Sequence, residues 1–234
     1  MHRVAITGIG IISCLGNDIE RVGNALRRGE SGVVSDPERE KVGFRSPLTG
    51  AIRDFNPRNI LSKKQCKTMP DFAVQAYAAA ADAIRMSRLS TEEIRNDETG
   101  LVFGCDSSCL AAVEQVDLLR LRGETKLIGS GQVFRSMTSC ITMNLNTLLQ
   151  TRGACWTISS ACASGGHAVG QAADLIAFGR QERVICGGAQ EINLESMCSF
   201  DALGAFSIRP GDPKGAARPF DAHRDGLVPG GGAA

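Results

Sequence analysis

The segment Gly100–Cys105 (GLVFGC) is apolar at almost every position, with no alternation that would mark a wet face. A strand of this kind is buried on both sides, which is the condition of a parallel sheet covered by helices. The surrounding sequence supplies the helices. Asp71 to Met86 (DFAVQAYAAAADAIRM) is alanine-rich and amphipathic, and helical spacing recurs over 18–28, 108–122 and 136–150. Gly29 stops the first of these, and Ser90-Thr91-Glu92-Glu93 opens a short capped helix. Strands are predicted over 3–9 (RVAITGI), 100–105, 155–159 and 183–186, the last ending in Gly187-Gly188, and a further helix over 162–178. Residues 31–62, punctuated by Pro37, Pro47 and Pro57, read as irregular. Strands separated by helices of this length imply parallel β-α-β units and an α/β layered fold.

Composition excludes several functions. A chain of 234 residues with 26 Lys+Arg against 25 Asp+Glu lacks the basic excess of a nucleic-acid binder. With 43% hydrophobic residues and a net charge of +1, disorder is excluded as the dominant state. No apolar run approaches the roughly 20 residues of a membrane helix, so no membrane partner is expected. MHRVAITGIG carries no signal-peptide pattern, and a cytoplasmic protein is expected. Nine cysteines without such a signal point to reduced thiols, and neither they nor the three histidines show metal-ligand spacing. No metal is expected.

Cys162 is the informative one. The strand CWTIS runs through Ser160-Ala161 into the helix that starts ASGGHAV, so Cys162 stands at a strand–helix junction among small residues. A helix N-terminus favours a thiolate, and its unpaired N–H groups suit a developing oxyanion. Two readings stand: a nucleophile on an elbow, or a buried structural cysteine beside a tight turn. His167 is five residues on, about 140° around the helix, so the two side chains diverge. His223 sits in a charged loop, Phe220–Gly226, that reads as structural, and His2 is terminal. Gly8 and Gly10 follow the first strand, but Ser13 occupies the third position of a dinucleotide fingerprint. Close helix packing at a tight turn accounts for them better. Lys63, Lys64 and Lys67 form a small basic cluster before a helix.

The motifs ITGIGIISCLGN, SSACASG, CGGAQE and RPFDAHRDG, in that order along the whole chain, resemble those of the β-ketoacyl-acyl-carrier-protein synthases. The stretch EINLESMCSFDALGAFS is closer to the type I enzymes. The resemblance implies a thiolase-like fold with a mixed, mostly parallel sheet layered with helices, of which residues 1–234 would be the N-terminal half. It implies that Cys162 accepts an acyl chain from the phosphopantetheine of an acyl carrier protein and supplies one oxyanion-hole N–H. A malonyl carrier would then lose carbon dioxide and extend the chain by two carbons. Met137 falls where the family lines its acyl pocket across a homodimer interface. Lys63, Lys64, Lys67 and Lys126 fall where basic side chains meet the acidic carrier. No cofactor is implied beyond the carrier's phosphopantetheine. The histidine and lysine motifs of the family's second half are absent, as is the apolar strand expected after the glycine run at 230–232. The chain alone is therefore expected to be acylated at best. A chain-length-factor-like partner and an inactive fragment with an exposed apolar face are the other readings, and Cys162 argues against the first.

Overall fold

The computed structural model describes residues 1–234. A four-stranded sheet in the order β4-β3-β5-β6 organises it: β3 (Thr99–Gly104), β4 (Cys155–Ile158) and β5 (Arg183–Gln190) are parallel, and β6 (Gly232–Ala233) runs antiparallel. This is the mixed, mostly parallel α/β sheet that the family resemblance implies. Central β3 is buried along its whole length, and its side chains divide by period two. Leu101, Phe103 and Cys105 enter a core with α3 (Asp71–Ser87) and α7 (Cys140–Leu149). Val102 points to the other face, where Ala168 and Leu175 of α8 (Ser164–Ala177) cover it. Leu101, Val102 and Phe103 are at most 1% exposed, and each contributes about 1.5–3 kcal/mol of burial.

The remaining helices follow local signals. Asp18 caps α1 (Ile19–Arg27), accepting the Arg21 N–H at 2.8 Å. Ser90 and Glu93 form the reciprocal capping box of α4 (Thr91–Ile94). α5 (Cys109–Arg122), the short α6 (Gln132–Arg135) and α7 lie between β3 and β4, and α8 connects β4 to β5. Residues 31–62 are more ordered than their sequence suggests. Val33–Ser35 (β1) pairs antiparallel with Leu48–Gly50 (β2), with α2 (Pro37–Lys41) between them. Strands of three residues joined across a helix leave no local periodicity to read. Also unforeseen is α9 (Leu194–Ala202), capped by Asn193 and Ser196; α10 (Pro213–Ala216) is a single turn.

Two expectations are corrected. Residues 3–9 join no sheet. The His2 N–H donates to the Ala177 carbonyl at 2.8 Å, and Ile12 bridges Ala233. Between these anchors the segment is extended, with Ile6 77% exposed. Its β-branched composition suits a strand, but a ladder also needs a neighbour, and residues 4–13 and 184–190 instead line one apolar cavity of about 1190 Å³. Residues 232–234 supply the rungs between the two backbones: Ile12 pairs with Ala233, and Gly188 exchanges two hydrogen bonds of 3.0 Å with Ala234. Gly8 and Gly10 do serve packing, since a Cβ on either would overlap a carbonyl of α3, at Ala83 and Ala79 respectively. They lie in extended chain rather than in a turn. Secondly, β5 continues through Gly187-Gly188 to Gln190.

Because the Gly188 N–H points toward β6, period two directs the Val184 and Cys186 N–H groups to the same open edge. Their amides are expected to exchange about tenfold or more faster than those of Ile185 and Gly187, which face β3, in residue-resolved hydrogen exchange.

Candidate active site at a strand–helix elbow

Strand β4 ends at Ile158 and α8 begins at Ser164, so five residues turn the chain from sheet to helix. Ala161 takes φ +48°, a left-handed conformation unusual outside glycine, at a cost of about 1–2 kcal/mol. Cys162 follows it and is exposed. The buried-cysteine reading is thereby excluded.

Glycines bring the helix start onto the sheet. A Cβ on Gly104, at the end of β3, would overlap the backbone of Ser164 and Gly165. One on Gly188 of β5 would come 2.8 Å from the Gly165 Cα. The elbow therefore rests on the carboxyl ends of two parallel strands, where open α/β sheets place ligands. Cys162, Ala161, Gly104 and Asp106 all line the 1190 Å³ cavity.

Polar atoms at the elbow are unevenly satisfied. The Ser164 hydroxyl accepts the Ser160 N–H at 2.8 Å and donates to the Ala161 carbonyl at 2.6 Å. The N–H groups of Cys162, Gly165 and Gly166 find no acceptor, and Ala163 at the N-cap has no polar side chain to offer. Unpaired N–H groups at a helix start carry partial positive charge and accept anions.

Two other cysteines begin helices, and both are disarmed. Cys109 opens α5, but its N–H is taken by the Glu191 carboxylate; burial, with Glu191 adding to it, pushes its thiol up. Cys140 opens α7 with no exposure; a hydrogen bond with the Cys105 thiol, and then burial, push it far up. Burial also raises the thiols of Cys14, Cys155 and Cys186. Among the exposed cysteines, Cys155 lies within β4 and Cys198 within α9. Cys162 stands beside free amides at the mouth of a cavity.

The structure does not bring the other expected residues to Cys162. His167 donates its N–H to Ala163 at 3.0 Å on α8 and does not line the cavity. In the Phe220–Gly226 loop, Asp225 accepts from the Ser207 hydroxyl at 2.9 Å and pairs with Arg209 at 3.1 Å, and the His223 carbonyl accepts from Arg209. These contacts tie the loop to Ser207 and Arg209. Met137 is 41% exposed and lies outside the cavity wall. Lys63, Lys64 and Lys67 are exposed in and beside the 3-10 turn Gln65–Thr68, and Gly131 packs against the Lys67 carbonyl. Lys126 is exposed and pairs with Glu124 at 2.6 Å. No group of three or more His, Cys, Asp or Glu side chains is placed to hold a metal ion. Sequence reasoning missed the Ser164 clamp and the strain at Ala161; the run of small residues was visible, but not which of them bends.

A family model described as β-ketoacyl synthase, N-terminal domain, matches residues 1–234. The chain belongs to the β-ketoacyl synthase family. The chain is 38% identical over 236 aligned residues to 3-oxoacyl-[acyl-carrier-protein] synthase 1 of Haemophilus influenzae, covering 100% of itself and 58% of that protein. A crystal structure of a β-ketoacyl synthase from Burkholderia phymatum superposes with a TM-score of 0.91 at 29% identity, over 100% of this chain and 58% of that one. A type II polyketide carrier protein in complex with its ketosynthase, AntDE:AntF, gives a TM-score of 0.82 at 26% identity, over 99% of this chain and 57% of that one. The fold is therefore the thiolase-like fold of ketosynthases, and the chain spans 56–58% of the length of the curated relatives it matches.

Gly104→Ala is expected to lower stability by about 1–3 kcal/mol, because backbone rather than a flexible side chain must yield. Urea unfolding measures the loss, and the alkylation rate of Cys162 should fall with it.

Proposed function

We propose that this chain is the acyl-accepting part of a β-ketoacyl-acyl-carrier-protein synthase of fatty acid biosynthesis, with Cys162 as the nucleophile. The observation that carries the reading is an exposed cysteine at a strained elbow, beside unpaired amides, opening on a large apolar cavity. In the acylation step the Cys162 thiolate attacks the carbonyl carbon of a carrier-bound thioester. A new C–S bond forms, and the carbonyl electrons pass to an oxyanion that the Cys162 N–H is free to bind. Collapse of that intermediate expels the carrier's pantetheine thiolate, which takes up a proton. The acyl chain then lies along the apolar wall. No cofactor takes part: the thioester and the thiolate supply the chemistry. In condensation, malonyl thioester loses carbon dioxide, and its α-carbon displaces Cys162 from the acyl group.

Decarboxylation needs a donor for the malonyl thioester oxygen. The cavity wall contains no histidine or lysine, and Asp106 is its one carboxylate. Residues 1–234, the N-terminal domain in this reading, carry the acyl acceptor, and the decarboxylating groups are not among the residues that line this cavity. An acidic acyl carrier protein is the partner, docking on Lys63, Lys64, Lys67 and Lys126; support comes from their exposure and from the relatives' names, which specify an acyl-carrier-protein substrate. A homodimer is favoured by the open edge of β4, which carries Trp156 40% exposed, and by the exposure of Met137 outside its own chain's cavity. No helix is long and apolar enough to cross a membrane, and we place the protein in the cytoplasm. A chain-length-factor-like role would leave the exposed thiol without a purpose.

Incubation with an acyl carrier protein bearing a medium-chain acyl group is expected to add one acyl mass, mapped to Cys162 and absent from Cys162→Ala, with no ketoacyl product on adding malonyl carrier. Acylation at another residue would overturn the assignment. Changing Lys63, Lys64 and Lys67 together to Glu is expected to slow acylation by the carrier-bound donor roughly 5- to 30-fold, more at low salt than at high. Acylation by an N-acetylcysteamine thioester, which has no carrier to dock, should not change.

A further inference from the structure

We infer that Ser164 is a positioning residue for Cys162, its hydroxyl tying the helix start back to the two residues that precede the nucleophile and so holding the strained elbow closed. The inference rests on the reading of Cys162 as the acyl acceptor. Ser164 is 4% exposed, and its hydroxyl has two partners: it accepts from Ser160 N–H at 2.8 Å and donates to the Ala161 carbonyl at 2.6 Å. The same Ala161 carbonyl also receives the Ser164 N–H at 3.1 Å. One buried side chain thus brackets the residue whose backbone torsions aim Cys162.

Ala161 is the reason a clamp is needed. At φ +48° an alanine stays only when its surroundings hold it there. Relaxing that torsion turns the next peptide, and with it both the Cys162 side chain and its N–H. The two hydrogen bonds of Ser164 oppose that rotation.

The placement of the hydroxyl also explains the free amides. An N-cap side chain would bond the N–H of the second or third helical residue, here Gly165 or Gly166. The N-cap is Ala163, whose side chain has no oxygen, and the serine that follows turns its hydroxyl back into the elbow. One hydroxyl moved by one position would cap the helix and quench the amides. The observed order holds the bend and leaves the helix start open to an anionic group.

The test uses the 234-residue chain and its Ser164→Ala, Ser164→Thr, Ala161→Gly and double Ala161→Gly/Ser164→Ala variants. Iodoacetamide alkylation is followed at each cysteine by peptide mass mapping, with Cys155 and Cys198 as internal references. Ser164→Ala is expected to slow Cys162 roughly 5- to 30-fold while Cys155 and Cys198 keep their rates, the loss of two net hydrogen bonds. Ser164→Thr retains the hydroxyl and should stay within about twofold of the parent. In the Ala161→Gly background, where the left-handed conformation is unstrained, the effect of Ser164→Ala should shrink. An unchanged Cys162 rate in Ser164→Ala, a common slowing of all three cysteines, or a Ser164→Thr variant as slow as Ser164→Ala overturns the inference. Should Cys162 react no faster than Cys198 in the parent, the acyl-acceptor reading fails instead. Exchange of the Ser160 amide then still judges the clamp: acceleration in Ser164→Ala supports it, and an unchanged rate overturns it.

Discussion

The rest of the site depends on close contact between the start of α8 and the ends of β3 and β5, made where neither side has a Cβ. Gly104 and Gly188 on the strands and Gly165 on the helix let backbone pack on backbone. That proximity leaves five residues to complete the turn from β4 into α8. The tightness is absorbed at Ala161, and the cysteine after it is pushed to the surface. A Cβ at Gly104 or Gly188 would lift the helix, and the elbow would open.

Exposure and hydrogen bonding, rather than helix starts as such, distinguish Cys162. Cys109 and Cys140 are the first residues of their helices, yet one has its amide occupied by Glu191 and the other is sealed against Cys105. Cys162 alone among the three is exposed and stands beside amides with no acceptor.

One apolar cavity lies between the outer edge of β5 and the segment 3–9. The outer edge of β5 and the extended segment 3–9 are joined by rungs at residues 232–234 alone. Both backbones are therefore left with unpaired groups along the cavity, and apolar side chains such as Ile6 and Val169 are left partly exposed. Strand-like composition in ITGIG is a statement about side chains, whereas a ladder is a statement about neighbours; here the first holds without the second.

Local chemistry made much of the fold legible. Unbroken apolarity in GLVFGC required burial on both faces, alanine spacing required α3, and the Ser90–Glu93 box required α4, because each signal is complete within a few residues. The nucleophile was visible as a cysteine among small residues between a strand and a helix. Which of those residues would bend, whether the thiol would be exposed, and that Ser164 would turn its hydroxyl backward were not, since each depends on contacts with strands up to 60 residues away in the chain. The β1–β2 pair and the register of β5 past its two glycines were hidden for the same reason. Sequence by itself determined the element types and the candidate sulfur, through periodicity and residue size; tertiary structure alone decided exposure, strain and the free amides, because those are set by what packs against the elbow rather than by what flanks it.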